Sequence, residues 1–190
     1  MLRSTARAVL SLLVAALAVP AAWATTAVER TESDMVQESA LIVTGHCTSL
    51  QSQWAGRTLV TLATIQVTEA LKGSPGATVT VALPGGVDAN RKIPVAMSYP
   101  AAPQIYQQED VLLFLVPEDL VAGSYSIAGF SQGKFTLTTD AQGKKAATQD
   151  LSALNLQGRN GSLRRGAAKT IQIDELRQRI RQTPAAGRER

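Results

Sequence analysis

Hydrophobic and polar residues alternate along much of the chain between residues 41 and 139, and this period of two is typical of β-strands. The first stretch, LIVTGHCTSL, places Cys47 on the more apolar face and His46 on the other, because successive strand residues point to opposite faces. We therefore expect Cys47 in the core and His46 near the solvent.

Two long β patterns follow one another closely at the start of this region. The segment QSQWAGRT, with Gly56 at its turn, leads into a second strand over residues 59–73, so the pair predicts a hairpin. A third strand is predicted between a Pro-Gly turn at residue 75 and the PGG turn that begins at Pro84. The segment after it, residues 86–108, reads as a long loop with one short strand at 92–98.

The segment VLLFLVP (111–117) is apolar on both faces, which is typical of a central strand that is covered on each side. Two more short strands are predicted at residues 124–130 and 133–139. About six or seven strands with frequent turn signals indicate a mainly β fold. We expect a single small antiparallel barrel, OB-like, or a sandwich, with a short C-terminal helix and the β-domain at residues 41–139.

The N-terminal residues 1–24 read as a signal peptide. A basic start precedes about 12 apolar residues, which is short of the roughly 20 that a membrane span needs, and Ala22-Trp23-Ala24 fits a cleavage site. No later segment is apolar enough to span a bilayer. We therefore expect an exported protein, periplasmic or extracellular, without a transmembrane segment after cleavage.

Four segments outside the β-domain complete the predicted organisation. Residues 25–40 are expected to be a flexible N-terminal segment with a short helical turn capped by Asp34. Residues 140–170 are expected to be a polar loop or linker, partly disordered, because they show little periodicity. A C-terminal helix is predicted within residues 171–182, and a basic tail at residues 183–190.

The charges are unevenly distributed along the part of the chain after residue 24. Residues 25–158 carry eight basic and twelve acidic side chains, whereas residues 159–190 carry nine basic and three acidic ones. A basic C-terminal segment on an acidic body is typical of a solvated tail, and it also allows weak contact with an anionic surface.

The sequence gives little support for a catalytic site or a metal-binding site. His46 and Cys47 are the single histidine and the single cysteine of the chain, and neighbours in a strand cannot jointly hold one atom. A zinc site would need further nitrogen or sulfur ligands. The carboxylate pairs at 109–110 and 118–119 flank the apolar strand, where they mark its ends. We therefore predict a protein that is not an enzyme, with no catalytic residues, no metal and no cofactor.

The aromatic residues favour a binding surface over nucleic-acid recognition. A groove for nucleic acid would need basic residues interleaved with stacking aromatics, and the predicted barrel is net acidic, so no nucleic acid is expected. Trp54, at the hairpin tip, is a residue type that often anchors an interface. The long loop adds its own candidates. The sequence thus predicts a recognition surface that contains Trp54, Arg91, Lys92, Tyr99 and Tyr106.

Four short motifs of this chain resemble those of a known group of proteins. EALKG (69–73), PGG (84–86), EDVLLFL (109–115) and QGKF (132–135) resemble the outline VLKG, PGG, EVLLFL and QGKF of a broad group of uncharacterised exported bacterial proteins. The resemblance covers about residues 38–138 and implies export, without implying an activity.

The strand layout also resembles, at the level of fold alone, the OB-like inhibitory domain of the tissue inhibitors of metalloproteinases. Those inhibitors chelate the zinc of their target through an N-terminal cysteine. Here the chain after cleavage would begin at Thr25 and the single cysteine lies within a strand, so that mechanism does not transfer.

Three functions are compatible with these observations. The first is an exported, non-enzymatic β-barrel interaction module, a partner or modulator of another exported protein such as a protease. The second is a structural envelope component whose basic C-terminal tail contacts an anionic surface. The third is a hydrolase that uses carboxylates. The pattern favours the first.

Overall fold

The structure is a computed structural model that describes residues 25–184. Its mainly β architecture with a short C-terminal helix confirms the predicted fold class. The predicted signal peptide lies outside the described residues, as do the last six residues of the predicted tail. The elements are, in chain order, β1 (Thr25–Val28), α1 (Glu32–Glu38), β2 (Leu41–Ala55), β3 (Thr58–Lys72), β4 (Thr78–Pro84), β5 (Gly86–Asp88), β6 (Val95–Met97), β7 (Asp110–Pro117), β8 (Tyr125–Ile127), β9 (Lys134–Thr139), β10 (Lys145–Asp150), β11 (Leu154–Gln157), β12 (Leu163–Arg165), β13 (Ala168–Gln172) and α2 (Ile173–Gln182).

Five strands form a barrel. β2, β3, β4, β8 and β7 are paired in this order, and β7 pairs with β2, which closes the ring. β4 and β8 are parallel and meet at a single residue pair, Val81 with Tyr125, while the other pairings are antiparallel. Of the two predicted alternatives, the strand order therefore matches the barrel. Its interior is filled by apolar side chains of the five strands and of the loop before β7, among them Leu41, Val43, Cys47, Ala63, Ile65, Val79, Val81, Leu83, Ile105, Val111, Leu113, Leu115 and Ile127.

β7 is buried on both faces, as its sequence predicts. Val111 and Leu113 face the barrel interior, whereas Leu112 and Phe114 pack in a second core outside the barrel wall. This second core also contains residues of both helices and of the strands that extend the sheet beyond β7. It covers the outer face of β2 as well, so that Ile42 is fully buried although it lies on the face opposite to Cys47.

The prediction of a polar, partly disordered loop at residues 140–170 is wrong. β9, β10 and β13 extend the barrel sheet beyond β7, which gives it eight strands. β11 and β12 lie in a separate three-stranded sheet with β1. β10 and β13 bury one side chain each, Ala147 and Ile171, and β12 buries none, while β11 buries two but is only four residues long, so the hydrophobic pattern is too weak to recognise in the sequence. The predicted total of six or seven strands is too low for the same reason.

The N-terminal segment contains a strand and a helix, where the sequence predicts a flexible segment with a short helical turn. β1 pairs with β11 in parallel, and α1 begins after the N-cap Thr31. Thr31 and Asp34 form a reciprocal capping box, in which the Thr31 hydroxyl accepts from the Asp34 N–H and an Asp34 carboxylate oxygen accepts from the Thr31 N–H. Asp34 is therefore the third helical residue and not the cap that the sequence predicts.

The predicted hairpin between β2 and β3 is present, with a turn at Gly56, where φ is +61°. Its pairing is irregular, because the register skips Thr68 and Leu71 on β3. Each such bulge shifts the following side chains to the opposite face. In a regular strand Leu71 would share the inner face with Ile65 and Val67, but here it packs against the second core.

The EALKG motif joins the end of β3 to α1. The Lys72 ammonium donates to the carbonyl oxygens of Val36, at 2.6 Å, and Gln37, at 3.2 Å, which lie in the last turn of α1. A cation at this end of a helix is favourable because the carbonyl groups there carry partial negative charge. Gly73 follows with φ at +78°, close to the Ala40 carbonyl.

Within residues 25–184, no helix is long and apolar enough to cross a membrane.

Candidate recognition surface at the hairpin tip

Trp54 lies next to the turn of the β2–β3 hairpin, where it is held by two charged residues from another part of the chain. Its indole N–H donates to Asp88 Oδ2 at 2.7 Å. The Arg91 guanidinium donates to the same oxygen at 2.9 Å and lies over the Trp54 ring, with its central carbon 4.8 Å from the ring centroid. Asp88 thus fixes an aromatic ring and a cation against each other.

Three hydrogen-bond donors around Asp88 favour the ionised form of its carboxylate. The hydrogen bond from Trp54 lowers the pKa of Asp88 most, and the Asn90 N–H and the Arg91 guanidinium lower it further, against the opposing effect of burial. The ionised carboxylate is also the form that pairs with the Arg91 guanidinium.

The PGG turn brings Asp88 to the hairpin. The Gly85 N–H donates to the Leu59 carbonyl at 2.9 Å, and the Val87 N–H donates to the Ser52 hydroxyl at 3.1 Å. A Cβ at Gly86 would lie 2.6 Å from Ser52 Oγ, and the φ of +155° is one that residues with side chains rarely adopt, so both effects favour glycine at this position. The short β5–β6 ribbon that follows therefore lies directly on the long hairpin.

Residues 87–93, which follow the PGG turn, expose both apolar and basic side chains. Ile93 is 77% exposed and Val87 is 55% exposed, and Lys92 and the guanidinium of Arg91 lie between them in sequence. Asp88 is the acidic residue of this ribbon, and Arg91 already neutralises it. We call Trp54, Val87, Arg91, Lys92 and Ile93 the tip surface.

The structure joins some of the predicted site residues and not others. Trp54 and Arg91 are in contact, and Lys92 follows Arg91 in the exposed loop between β5 and β6. Tyr99 and Tyr106 are exposed, but no hydrogen bond or ring contact links either of them to Trp54 within residues 25–184. Tyr106 lines a different cavity, beside Glu109.

Cys47 is fully buried in the barrel, as its place in the alternating pattern predicts. Desolvation raises the pKa of its thiol, and the nearby charge of Glu109 raises it further. His46 lies on the opposite face, half-buried, between Asp110 and Gln108. The two residues thus face different surroundings, as expected of neighbours in a strand.

The carboxylates that flank β7 have separate partners. Glu109 Oε1 accepts from the ammonium of Lys134 and the hydroxyl of Thr136, each at 2.6 Å. Asp110 Oδ1 lies 2.8 Å from His46 Nδ1. Glu118 accepts from the Leu120 N–H in the following turn, which is a structural role at the end of the strand.

Several arginines of the basic C-terminal segment pair with the acidic body. Arg159 lies 2.8 Å from Asp34, and Arg177 and Arg181 lie 2.7 and 2.9 Å from Glu69. The charge asymmetry seen along the sequence is therefore partly balanced within the fold.

No family model, no curated protein and no solved structure matches this chain.

Sequence reasoning missed Asp88, which organises the tip surface. The one available signal is its position two residues after the PGG turn, in a segment read as a loop. That signal does not indicate that residues 52–54 and 86–88 lie side by side, because the contact depends on how the ribbon folds back onto the hairpin.

Proposed function

We propose that this protein is an exported, non-enzymatic binding module that recognises another protein through its tip surface. The observation that carries this proposal is the joint attachment of Trp54 and Arg91 to Asp88. Tryptophan and arginine are the residue types that most often dominate interface energies. Holding both in place before binding reduces the conformational entropy that association costs.

The chemistry of the tip indicates the chemistry of its partner. Arg57, Arg91 and Lys92 are exposed, while the one acidic residue of the ribbon is already paired. Exposed Ile93 and Val87 supply apolar area beside these cations. The partner that fits is therefore a protein with an apolar pocket bordered by acidic residues.

The other two functions have less support. The envelope-component alternative relies on the basic C-terminal segment, and arginines 159, 164, 177, 179 and 181 of this segment form ion pairs with carboxylates of the same chain. The hydrolase alternative relies on carboxylates at 109 and 110, and these bind different side chains.

A capture experiment against the exported fraction of the source tests the proposal. Wild-type protein is compared with Ile93→Asp, and with Leu163→Asp as the matched control, because Leu163 is a 63% exposed apolar residue on β12, remote in sequence from the tip. Bound proteins are identified by mass spectrometry. We expect one stoichiometric partner with the wild type and the control, and its loss with Ile93→Asp.

Retention of the same partner by Ile93→Asp and by Trp54→Ala would overturn the role of the tip surface. Absence of any stoichiometric protein partner with the wild type would overturn the interaction-module function itself and favour a polymer or a small ligand. The thermal unfolding of each variant is measured in parallel, so that a loss of binding is not confused with a loss of the fold.

A further inference from the structure

A groove separate from the tip surface lies beside the barrel, where the sheet extends past β7. Its volume is about 610 Å³, within the range of roughly 300 to 1,000 Å³ that is usual for small-molecule sites. The loop at residues 101–106 forms one wall and the turn at residues 151–154 forms the other. β9 and β10 form the floor.

The floor is lined by polar side chains that hold one another in place. The Lys134 ammonium donates to Glu109 Oε1 at 2.6 Å and contacts Thr136 Oγ1 at 2.7 Å. Glu109 Oε2 accepts from the Tyr106 N–H at 2.8 Å. Asp150 Oδ1 accepts from the Ser152 N–H at 3.0 Å, which orients this carboxylate at the far end of the floor.

This floor keeps hydrogen-bonding capacity that the protein does not use. An ammonium group has three donors, and two of those of Lys134 are directed at Glu109 and Thr136. Asp150 is exposed, and one of its oxygens accepts from Ser152. The groove therefore offers a donor and an acceptor at fixed positions, together with the hydroxyl group of Ser131. The Thr148 hydroxyl, which also lines the groove, is already paired with the Thr170 hydroxyl at 2.9 Å.

The walls are apolar and one of them carries an aromatic ring. Ala102 and Pro103 line one side, and Leu151 and Leu154 line the other. Tyr106 is 65% exposed at the edge of the groove. A tyrosine in this position presents an apolar face together with a polar hydroxyl tip.

We propose that this groove binds a neutral, polyhydroxylated ligand of the size of one or two sugar rings. Hydroxyl groups both donate and accept, so they match a floor on which fixed donors and acceptors lie close together. The apolar face of a sugar ring matches the Tyr106 ring and the apolar walls. The floor carries one positive and two negative side chains, and Lys134 is paired with Glu109, so the net charge of −1 disfavours an anionic ligand.

NMR titration of the isotopically labelled full-length protein tests this proposal. Three neutral disaccharides (maltose, cellobiose and N,N′-diacetylchitobiose) are compared with two ionic probes, spermidine and citrate. We expect at least one disaccharide to cause saturable shifts in the backbone amides around Tyr106, Thr148 and Asp150. Concentrations up to about 50 mM would saturate a ligand whose Kd is about 1 mM.

Two variants and one control link binding to the groove. Tyr106→Ala removes the aromatic platform and is expected to weaken binding roughly two- to tenfold. Asp150→Asn keeps the shape and removes the charged acceptor, so it should also weaken binding. Tyr99→Ala removes an exposed tyrosine that does not line the groove, and Ile93→Asp alters the tip surface. Both should leave the disaccharide affinity unchanged.

The proposal is overturned if no disaccharide produces saturable shifts, or if spermidine or citrate alone does so. It is also overturned if Tyr106→Ala and Asp150→Asn, while folded, bind the disaccharide as tightly as the wild type. None of these results depends on the protein partner of the tip surface, so the two proposals can fail separately.

Discussion

Lys134 and Glu109 form an ion pair of 2.6 Å between the first residue of β9 and the residue before β7, with side chains only 16% and 10% exposed. Thr136 bonds to both partners and completes a small network. The pair links the barrel to the added strands, at a point where β7 and β9 share three residue pairs.

Removal of one member of this pair should destabilise the protein considerably. We expect Lys134→Met to lower the free energy of unfolding by about 2–4 kcal/mol, because Glu109 is left as a buried charge without its counterion. The exposed Lys144→Met serves as the control and should change stability by less than about 0.5 kcal/mol. Urea denaturation measures both.

The double variant Lys134→Met with Glu109→Gln distinguishes the pair from two independent residues. Its cost should be clearly smaller than the sum of the two single costs, since neither charge is then left without a partner. Additive costs would contradict the pairing.

Gly73 and Gly143 offer a matched test of steric contact, because both have φ at +78°. A Cβ at Gly73 would lie 2.5 Å from the Ala40 carbonyl oxygen, whereas a Cβ at Gly143 would meet nothing within 4 Å. We expect Gly143→Ala to cost about 1 kcal/mol, the penalty of a left-handed conformation alone. Gly73→Ala should cost about 3 kcal/mol or more in denaturant unfolding. Equal costs would mean that the Ala40 carbonyl gives way without strain.

Gln132 attaches the N-terminal segment to the barrel. Its Oε1 accepts from the Arg30 N–H, and its Nε2 donates to the carbonyl oxygens of Val28 and Gly129, each at 2.9 Å. Because Gln132 is only 2% exposed, Gln132→Ala should cost about 2–4 kcal/mol through unsatisfied polar groups.

Hydrogen exchange locates this effect. In Gln132→Ala, the amides of residues 28–30 should lose protection more than those of β3, while the exposed Gln142→Ala should leave both unchanged. Uniform loss of protection along the chain would show that Gln132 supports the whole fold and not specifically the N-terminal segment.

His46 should make stability depend on pH near neutrality. The hydrogen bond to Gln108 raises its pKa most, followed by the hydrogen bond to Asp110, because the protonated ring can donate from both nitrogens. Because the pKa of His46 in the folded protein is raised above its ordinary 6.5, protonation of His46 stabilises the fold, and this contribution is fully present below pH 6.5. This contribution is lost as the pH rises through the folded-state pKa.

The measurement is the melting temperature as a function of pH, together with an NMR titration of the His46 ring. His46→Gln should remove the dependence on pH between about 6 and 8, since the chain has one histidine. A His46 pKa at or below 6.5 in the folded protein would contradict the prediction.

The elements whose hydrophobic period is strong can be predicted from the residue pattern alone. Alternation specified the hairpin strands and placed Cys47 in the core, and seven apolar residues identified β7 as a strand buried on both faces. The terminal helix was equally clear, because Ile173, Leu176 and Ile180 recur at helical spacing and all three are buried. In each case, the positions of the apolar residues indicate whether one face of the element is buried or both are.

The remaining features could not be predicted in this way, because they depend on contacts between residues that are distant in sequence. β10 and β13 bury few side chains, so their strand character comes from hydrogen bonding to neighbours that the pattern does not reveal. The bulges that move Leu71 to the second core arise from pairing register. The same holds for the contacts of Trp54 with Asp88 and of Glu109 with Lys134. The residue types indicate that these side chains need partners, but the tertiary structure determines which partners they contact.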